Sequence, residues 1–248
     1  MTGAPVDRRA ELAAGLSAVR ARIAAACAAA GRPADGVHLV AVTKFHPASD
    51  VLHLLGLGAR AFGENRDQEA SAKAARVAAE LADVPSDPRP EWHFIGQLQT
   101  NKAKSVVSYA DVVESVDRLP LVSALDRAAD RAGRRIRALV QVNLDPAAVR
   151  DGGGRGGAHP DEVLRIADAV AGSGALELRG LMAVAPLGIP PEPAFDRLAV
   201  LAARLRGAHP EAVSLSAGMS GDLEAAVAVG ATHVRIGSAL LGGRPPLR

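Results

Sequence analysis

The sequence alternates, almost from end to end, between short apolar runs and longer amphipathic stretches. The apolar runs are mostly continuous rather than alternating, which is typical of strands buried on both faces of a parallel sheet. Eight such runs lie at 37–43, 59–63, 92–96, 111–116, 138–144, 176–184, 213–216 and 233–236. Between them, amphipathic stretches predict helices at 51–57, 68–81, 119–132, 161–171, 194–205 and 223–229.

Eight strand–helix units favour one architecture. Strands that alternate with helices pair in parallel through right-handed crossovers. A closed barrel of eight such units needs about 250 residues, and this chain has 248. We therefore predict one α/β domain over 1–248, a (β/α)8 TIM-type barrel at 34–248 with an extra N-terminal helix within 1–33. An open doubly wound sheet is the alternative.

Composition is that of a soluble globular protein, with 48% hydrophobic and 23% charged residues. A formal net charge of +2 does not provide the basic surface of a nucleic-acid binder. No uncharged apolar stretch reaches the roughly 18 residues of a membrane span, and Asp7 and Arg8 lie where a signal peptide would be apolar. The single Cys27 suits a reducing compartment. We expect a cytoplasmic monomer without a metal site.

The residues that follow the strands are the candidates for chemistry, because such barrels work at the C-terminal ends of their strands. Lys44 follows the first apolar run directly. Burial there would lower the pKa of its amine towards that of a nucleophile. A lysine that extends its amine into solvent from a strand end is the plain alternative.

The seventh and eighth strands end in small, hydroxyl-bearing residues. Residues 216–220 read SAGMS, and Gly237 and Ser238 follow the eighth strand. Barrels often bind phosphate between these two loops, although two tight turns with serine caps would look the same. An amine at Lys44 and a phosphate cup in one barrel mouth indicate pyridoxal 5'-phosphate (PLP). A different phosphate ester, held with Lys44 as an electrostatic clamp, stays open.

Arg235 ends an otherwise apolar strand between the two phosphate loops, near where a bound pyridine ring would lie. A guanidinium facing the pyridine nitrogen cannot accept its proton, so the nitrogen stays unprotonated. Such a ring is a weak electron sink, which disfavours broad carbanion chemistry. The alternative is a surface ion pair of Arg235 with Glu224 or Asp222.

Several stretches, in order along most of the chain, form a recognisable set. They read LVAVTK (39–44), FGEN and QE (62–65, 68–69), WHFIGQLQTNK (92–102), ESVDR (114–118), RGLM (179–182) and LSAGMSGDLEAAVAVGATHVRIGSALLG (215–242). Together they resemble the YggS/PROSC family of PLP homeostasis proteins, which are similar to the barrel domain of bacterial alanine racemases. The usual aromatic residue after GEN is Arg66 here, and the loop at 145–157 lacks the family's usual glutamate and Lys-x-Gly, so that loop receives no role.

The resemblance implies that Lys44 carries PLP as a Schiff base and that Arg235 faces the pyridine nitrogen. The other implied cofactor positions are Ser216, Gly237 and Ser238 at the phosphate and Asn65 beside the ring. It further implies a carrier or regulator of PLP without catalytic turnover, with apo forms of PLP-dependent enzymes as acceptors.

A PLP-dependent amino-acid racemase is the alternative function. It would need a tyrosine as a second base, and Tyr109 lies before the fourth strand, near the opposite end of the barrel from the cofactor. His93 is expected to bond locally within its strand. The polar stretch 71–80, with Lys73 and Arg76, is expected to form a solvated helix face.

Overall fold

A computed structural model describes residues 7–83, 89–145 and 156–243. Its eight strands form a closed barrel in sequence order, with parallel neighbours and β1 paired to β8. The strands are β1 (His38–Val42), β2 (Ala61–Glu64), β3 (Glu91–Phe94), β4 (Val112–Val116), β5 (Ile136–Val142), β6 (Leu176–Ala183), β7 (Ser214–Ser216) and β8 (His233–Ile236). The predicted barrel is confirmed, and the closing β1–β8 pair excludes an open sheet.

The α-helices of the described residues include the predicted N-terminal one. They are α1 (Arg8–Ala29), α2 (Ala48–Gly56), α3 (Asp67–Glu80), α4 (Ala103–Tyr109), α5 (Leu119–Arg131), α6 (Val163–Ala171), α7 (Glu192–Ala208), α8 (Leu223–Ala228) and α9 (Ser238–Leu241). Helix α4 was not predicted. Its seven residues, AKSVVSY, include adjacent valines and two serines. These residues have weak helix propensity, so the sequence pattern does not indicate a helix of this length.

The apolar core has two layers, because successive side chains of a strand point to opposite faces. Outward-facing residues such as Phe62 and Val234 are fully buried beneath the helices. On the inner face, the side chains of Val40 and Ile95 pack closely over Gly63, because a Cβ at this position would lie 3.2 Å from each of them. The inner face also holds charged residues, which form part of the site described below.

Helix α1 packs against α2, α8 and α9. Its apolar residues recur at helical spacing and are buried: Leu12, Leu16, Val19 and Ile23. Gly15 lies against the backbone of α9, where a Cβ would come 2.3 Å from the carbonyl oxygen of Leu240. Arg8 donates to the Leu241 carbonyl oxygen at 3.0 Å. Helix α1 therefore holds α9, the element that begins directly after β8.

Among the described residues, α1 is the one helix long and apolar enough to cross a membrane by length and composition alone. Its apolar face is occupied by the packing against α2, α8 and α9. The core helix of a soluble protein meets the same criteria.

We predict that Gly15→Ala destabilises the protein although alanine is the better helix former. An alanine in an open helical position gains about 0.5–1 kcal/mol over glycine, whereas forcing a methyl group into the Leu240 carbonyl should cost about 1–3 kcal/mol. The matched control is Gly207→Ala in α7, where a Cβ would meet nothing within 4 Å. Thermal unfolding followed by circular dichroism should show a lower Tm for Gly15→Ala only; a Tm raised equally by both would contradict the close approach.

Candidate functional site

Lys44 lies half-buried in a turn that follows β1. The next residue, Phe45, has a φ of 69° and is the only non-glycine residue with positive φ in the described ranges. This conformation costs about 1–3 kcal/mol and persists only where the surroundings hold it. The N–H of His46 donates to the Thr43 carbonyl oxygen at 3.0 Å and closes the turn. The chain thus changes direction at Lys44 at an energetic cost that other contacts must offset.

A buried ion cluster beneath the turn supplies those contacts. The Lys73 ammonium on α3 donates to the Thr43 carbonyl at 2.7 Å, to Glu64 Oε1 at 2.6 Å and to Glu69 Oε1 at 3.0 Å. Glu69 also accepts the backbone N–H of Phe45, and the Thr43 hydroxyl donates to Glu64 at 2.6 Å. Burial raises the pKa of the Glu64 carboxyl, against the lowering effect of Lys73.

Lys73 corrects an expectation from the sequence. Its side chain was expected on a solvated helix face, but the residue is 6% exposed. Glu69 and Lys73 are four residues apart on α3, a spacing that is usual for solvent-exposed pairs. The sequence shows this spacing, but it does not show that the helix turns the pair towards the end of β1.

We predict that Lys73→Met strongly destabilises the fold. Removing one partner of a buried ion pair costs about 3–5 kcal/mol, because the other charge is left uncompensated. Arg76→Met is the matched control, since Arg76 lies on the same helix but is exposed, and it should change stability by less than about 0.5 kcal/mol. Urea unfolding measures both free energies, and equal losses would show that the Lys73 cluster has no special role.

Asn65 follows β2 and is half-buried. Its backbone lies close to the end of β3, because a Cβ on Gly96 would come 2.1 Å from the Asn65 carbonyl oxygen. The guanidinium of Arg66 lies 5.3 Å from the centre of the Phe45 ring. Asn65 and the turn of Lys44 therefore share the same edge of the barrel mouth.

The loop after β7 and the start of α9 meet on the other side of Lys44. The Ser238 hydroxyl lies 3.3 Å from that of Ser220, which also accepts the N–H of Ala239 at 3.4 Å. Arg22 on α1 donates to the Ser220 carbonyl at 2.7 Å and holds this loop. Gly237 lies beside β1, where a Cβ would be 3.3 Å from the Val42 carbonyl oxygen. We call Ser220, Gly237 and Ser238 the hydroxyl cup.

Arg235 and Ser216 lie below the cup, inside the barrel. Arg235 is 3% exposed, and its Nη1 donates to the Ser216 hydroxyl at 2.6 Å while Nη2 donates to the Ala183 carbonyl at 2.7 Å. The expected alternative, a surface ion pair with Glu224 or Asp222, is wrong: Glu224 pairs with Arg22 on the surface. The backbone N–H of Arg235 also donates to the Gly218 carbonyl at 2.9 Å, which ties β8 to the loop after β7.

The structure thus brings Lys44, Asn65, Arg235, Gly237 and Ser238 to one end of the barrel. Ser216 is fully buried beneath them, and its hydroxyl is engaged by the side chains of Glu114 and Arg235. Ser220 belongs to the SAGMS segment that was predicted to bind phosphate, although it was not singled out as a cofactor position, and it lies against Ser238. Most of the glycine-rich run at 151–157 lies outside the described residues.

The fold is a closed parallel (β/α)8 barrel with its candidate site at the C-terminal ends of the strands. Comparison with known proteins identifies barrels of the same kind. The family model "Alanine racemase, N-terminal domain" matches residues 15–245. A pyridoxal phosphate homeostasis protein of Mycobacterium tuberculosis is 47% identical over 246 residues, covering 96% of this chain and 95% of the relative. One from Escherichia coli is 36% identical over 241 residues, covering 94% and 97%.

A solved structure of similar sequence has the same fold. PipY of Synechococcus elongatus, determined with PLP bound, is 36% identical and has a TM-score of 0.77, covering 93% of this chain and 100% of that one. The chain described here belongs to the family of pyridoxal phosphate homeostasis proteins.

Proposed function

We propose that this chain binds PLP as a Schiff base on Lys44 and holds it for intracellular PLP homeostasis, without catalytic turnover. One observation carries the proposal. The turn of Lys44 after β1 and the hydroxyl cup after β7 and β8 lie side by side at one mouth, with the Arg235 guanidinium beneath them. The names of the relatives and the PLP complex of PipY support the same reading.

Each part of the mouth matches one part of the cofactor. PLP supplies an aldehyde that condenses with a primary amine, and Lys44 provides such an amine at the mouth. Ser220, Ser238 and the side-chain-free backbone of Gly237 suit its phosphate. Asn65 follows β2, on the side of Lys44 away from the cup.

Arg235 suits the pyridine nitrogen. Its hydrogen bonds to the described residues use Nη1 and Nη2, which leaves Nε–H to donate to the ring. An arginine keeps its proton, so it holds the ring nitrogen unprotonated.

The carrier role implies partners that accept the cofactor. We propose apo forms of PLP-dependent enzymes as acceptors and the cytoplasm as the location. The single cysteine, Cys27, is buried and unpaired, which suits a reducing compartment.

Replacing Lys44 tests the covalent step. We expect the protein mixed with PLP to absorb at about 420 nm, and Lys44→Ala to lose this band while keeping its circular dichroism spectrum. Lys104→Ala, which removes an exposed lysine, is the matched control and should keep the band.

Borohydride reduction followed by peptide mapping should then place the label on Lys44. A label on Lys73, Lys102 or Lys104 would refute the proposed attachment. PLP binding with no label at all would favour the clamp reading, in which Lys44 acts by charge only.

Lack of turnover is tested by deuterium exchange at Cα, screened over the common amino acids. We expect the PLP-loaded protein to exchange no faster than free PLP. A racemase would need a tyrosine as its second base, and Tyr109 is the single tyrosine of the chain. Its hydroxyl donates to Asp67 at 3.5 Å, and burial raises the pKa of Tyr109 well above its usual range, which disfavours a role as a base. Exchange well above the free-PLP rate would instead establish a racemase-like enzyme.

A further inference from the structure

A continuous row of buried polar side chains crosses the barrel interior below Arg235. Ser216 on β7 donates its hydroxyl proton to Glu114 Oε2 on β4 at 2.6 Å. Glu114 Oε1 lies 2.6 Å from Nδ1 of His93 on β3, whose Nε2 lies 2.6 Å from Glu91. Except for the half-exposed Glu91, the members of this row are at most 3% exposed.

The direction of every hydrogen bond in the row is determined by its members. Arginine can only donate, so the Ser216 oxygen accepts from Arg235 and its own proton must go to another acceptor. The ionised carboxylate of Glu114 is that acceptor. His93 lies between two carboxylates and donates to both, as an imidazolium does.

The pKa shifts agree with this arrangement. Burial opposes ionisation of Glu114, but His93 and Arg235 overcome it and lower its pKa to about 2. Burial also disfavours the charged form of His93, yet Glu114 and Glu91 raise its pKa to about 9. At neutral pH the charges therefore alternate along Glu91, His93, Glu114 and Arg235.

Glu114 reaches Arg235 through Ser216, because its carboxylate is 3.8 Å from Nη1 while each hydrogen bond of the bridge is 2.6 Å. Together with the Ala183 carbonyl, this bridge holds both terminal nitrogens of the guanidinium. A guanidinium held at both terminal nitrogens is fixed in one orientation, and these hydrogen bonds do not use its Nε–H. An arginine without these bonds would have to lose side-chain freedom when it binds the ring.

We propose that Glu114 is a positioning residue for Arg235: acting through Ser216 and itself held by His93, it orients the guanidinium towards the pyridine nitrogen of PLP. This rests on the proposed PLP site and goes beyond it, because it assigns Ser216, Glu114 and His93 a role through their hydrogen bonds to one another and to Arg235. Ser216 then serves cofactor binding through Arg235 instead of through the phosphate.

The test measures the Kd for PLP by absorbance titration of the full chain. Glu114→Gln keeps the size of the side chain but removes its charge, and should weaken binding about tenfold. Ser216→Ala should weaken it about threefold or more. Ser115→Ala is the matched control, since it removes another buried hydroxyl, one without a hydrogen-bond partner in the described residues, and its Kd should stay within about twofold of wild type.

A double-mutant cycle separates positioning from a merely structural effect. In an Arg235→Met background, Glu114→Gln should change the Kd less than about twofold, because no guanidinium remains to orient. The same loss in both backgrounds, or a wild-type Kd for Glu114→Gln, would overturn the proposal. Should Glu114→Gln fail to fold, Ser216→Ala with the same cycle decides between the two results.

The titrations distinguish an error in the proposed PLP site from an error in the proposed positioning role of Glu114. A wild-type protein that does not bind PLP overturns the proposed function and this inference together. Wild-type binding with unaffected Glu114→Gln and Ser216→Ala variants overturns the positioning role alone.

Discussion

The hydrogen bonds between β1 and β8 are the constraint on which the site depends. They pair Ala41 with Ile236 in parallel register, so both strands end at the same level. Lys44 then emerges next to Gly237 and Ser238, although these residues lie near opposite ends of the chain. In an open sheet with the same strand order, β1 and β8 would lie at opposite edges, and the width of the sheet would separate the amine from the cup.

Closure also creates an interior whose charges must be compensated. Barrel interiors are usually filled with branched apolar side chains, whereas β3, β4 and β8 contribute His93, Glu114 and Arg235 to this one. An isolated buried charge costs several kcal/mol, so a charged group beneath the mouth requires opposite charges next to it. The alternating row meets that requirement and links the ligand end of the barrel to its N-terminal end.

The mouth itself is held from outside the barrel. Lys73 and Glu69 on α3 support the strained turn at Phe45, and α1 holds both the loop of Ser220 and the end of α9. These contacts come from helices that contribute no cofactor ligand in the proposed site. Two helices outside the proposed site therefore keep its polar groups in fixed positions, and such preorganisation lowers the entropic cost of binding.

The sequence by itself determined the barrel and the end of it at which the chemistry lies. Continuous apolar runs identify buried parallel strands, and residues directly after them must lie at the strand ends, so Lys44, Gly237 and Ser238 could be placed without coordinates. Only the tertiary structure decided which buried polar side chains bond to one another. Lys73 looked solvated because its helix is rich in alanine and charge, and Glu114 gave no sign of its partner, since Ser216 reaches it from across the barrel. Strand periodicity determines which side chains face inwards, but strand tilt and closure determine which of them meet.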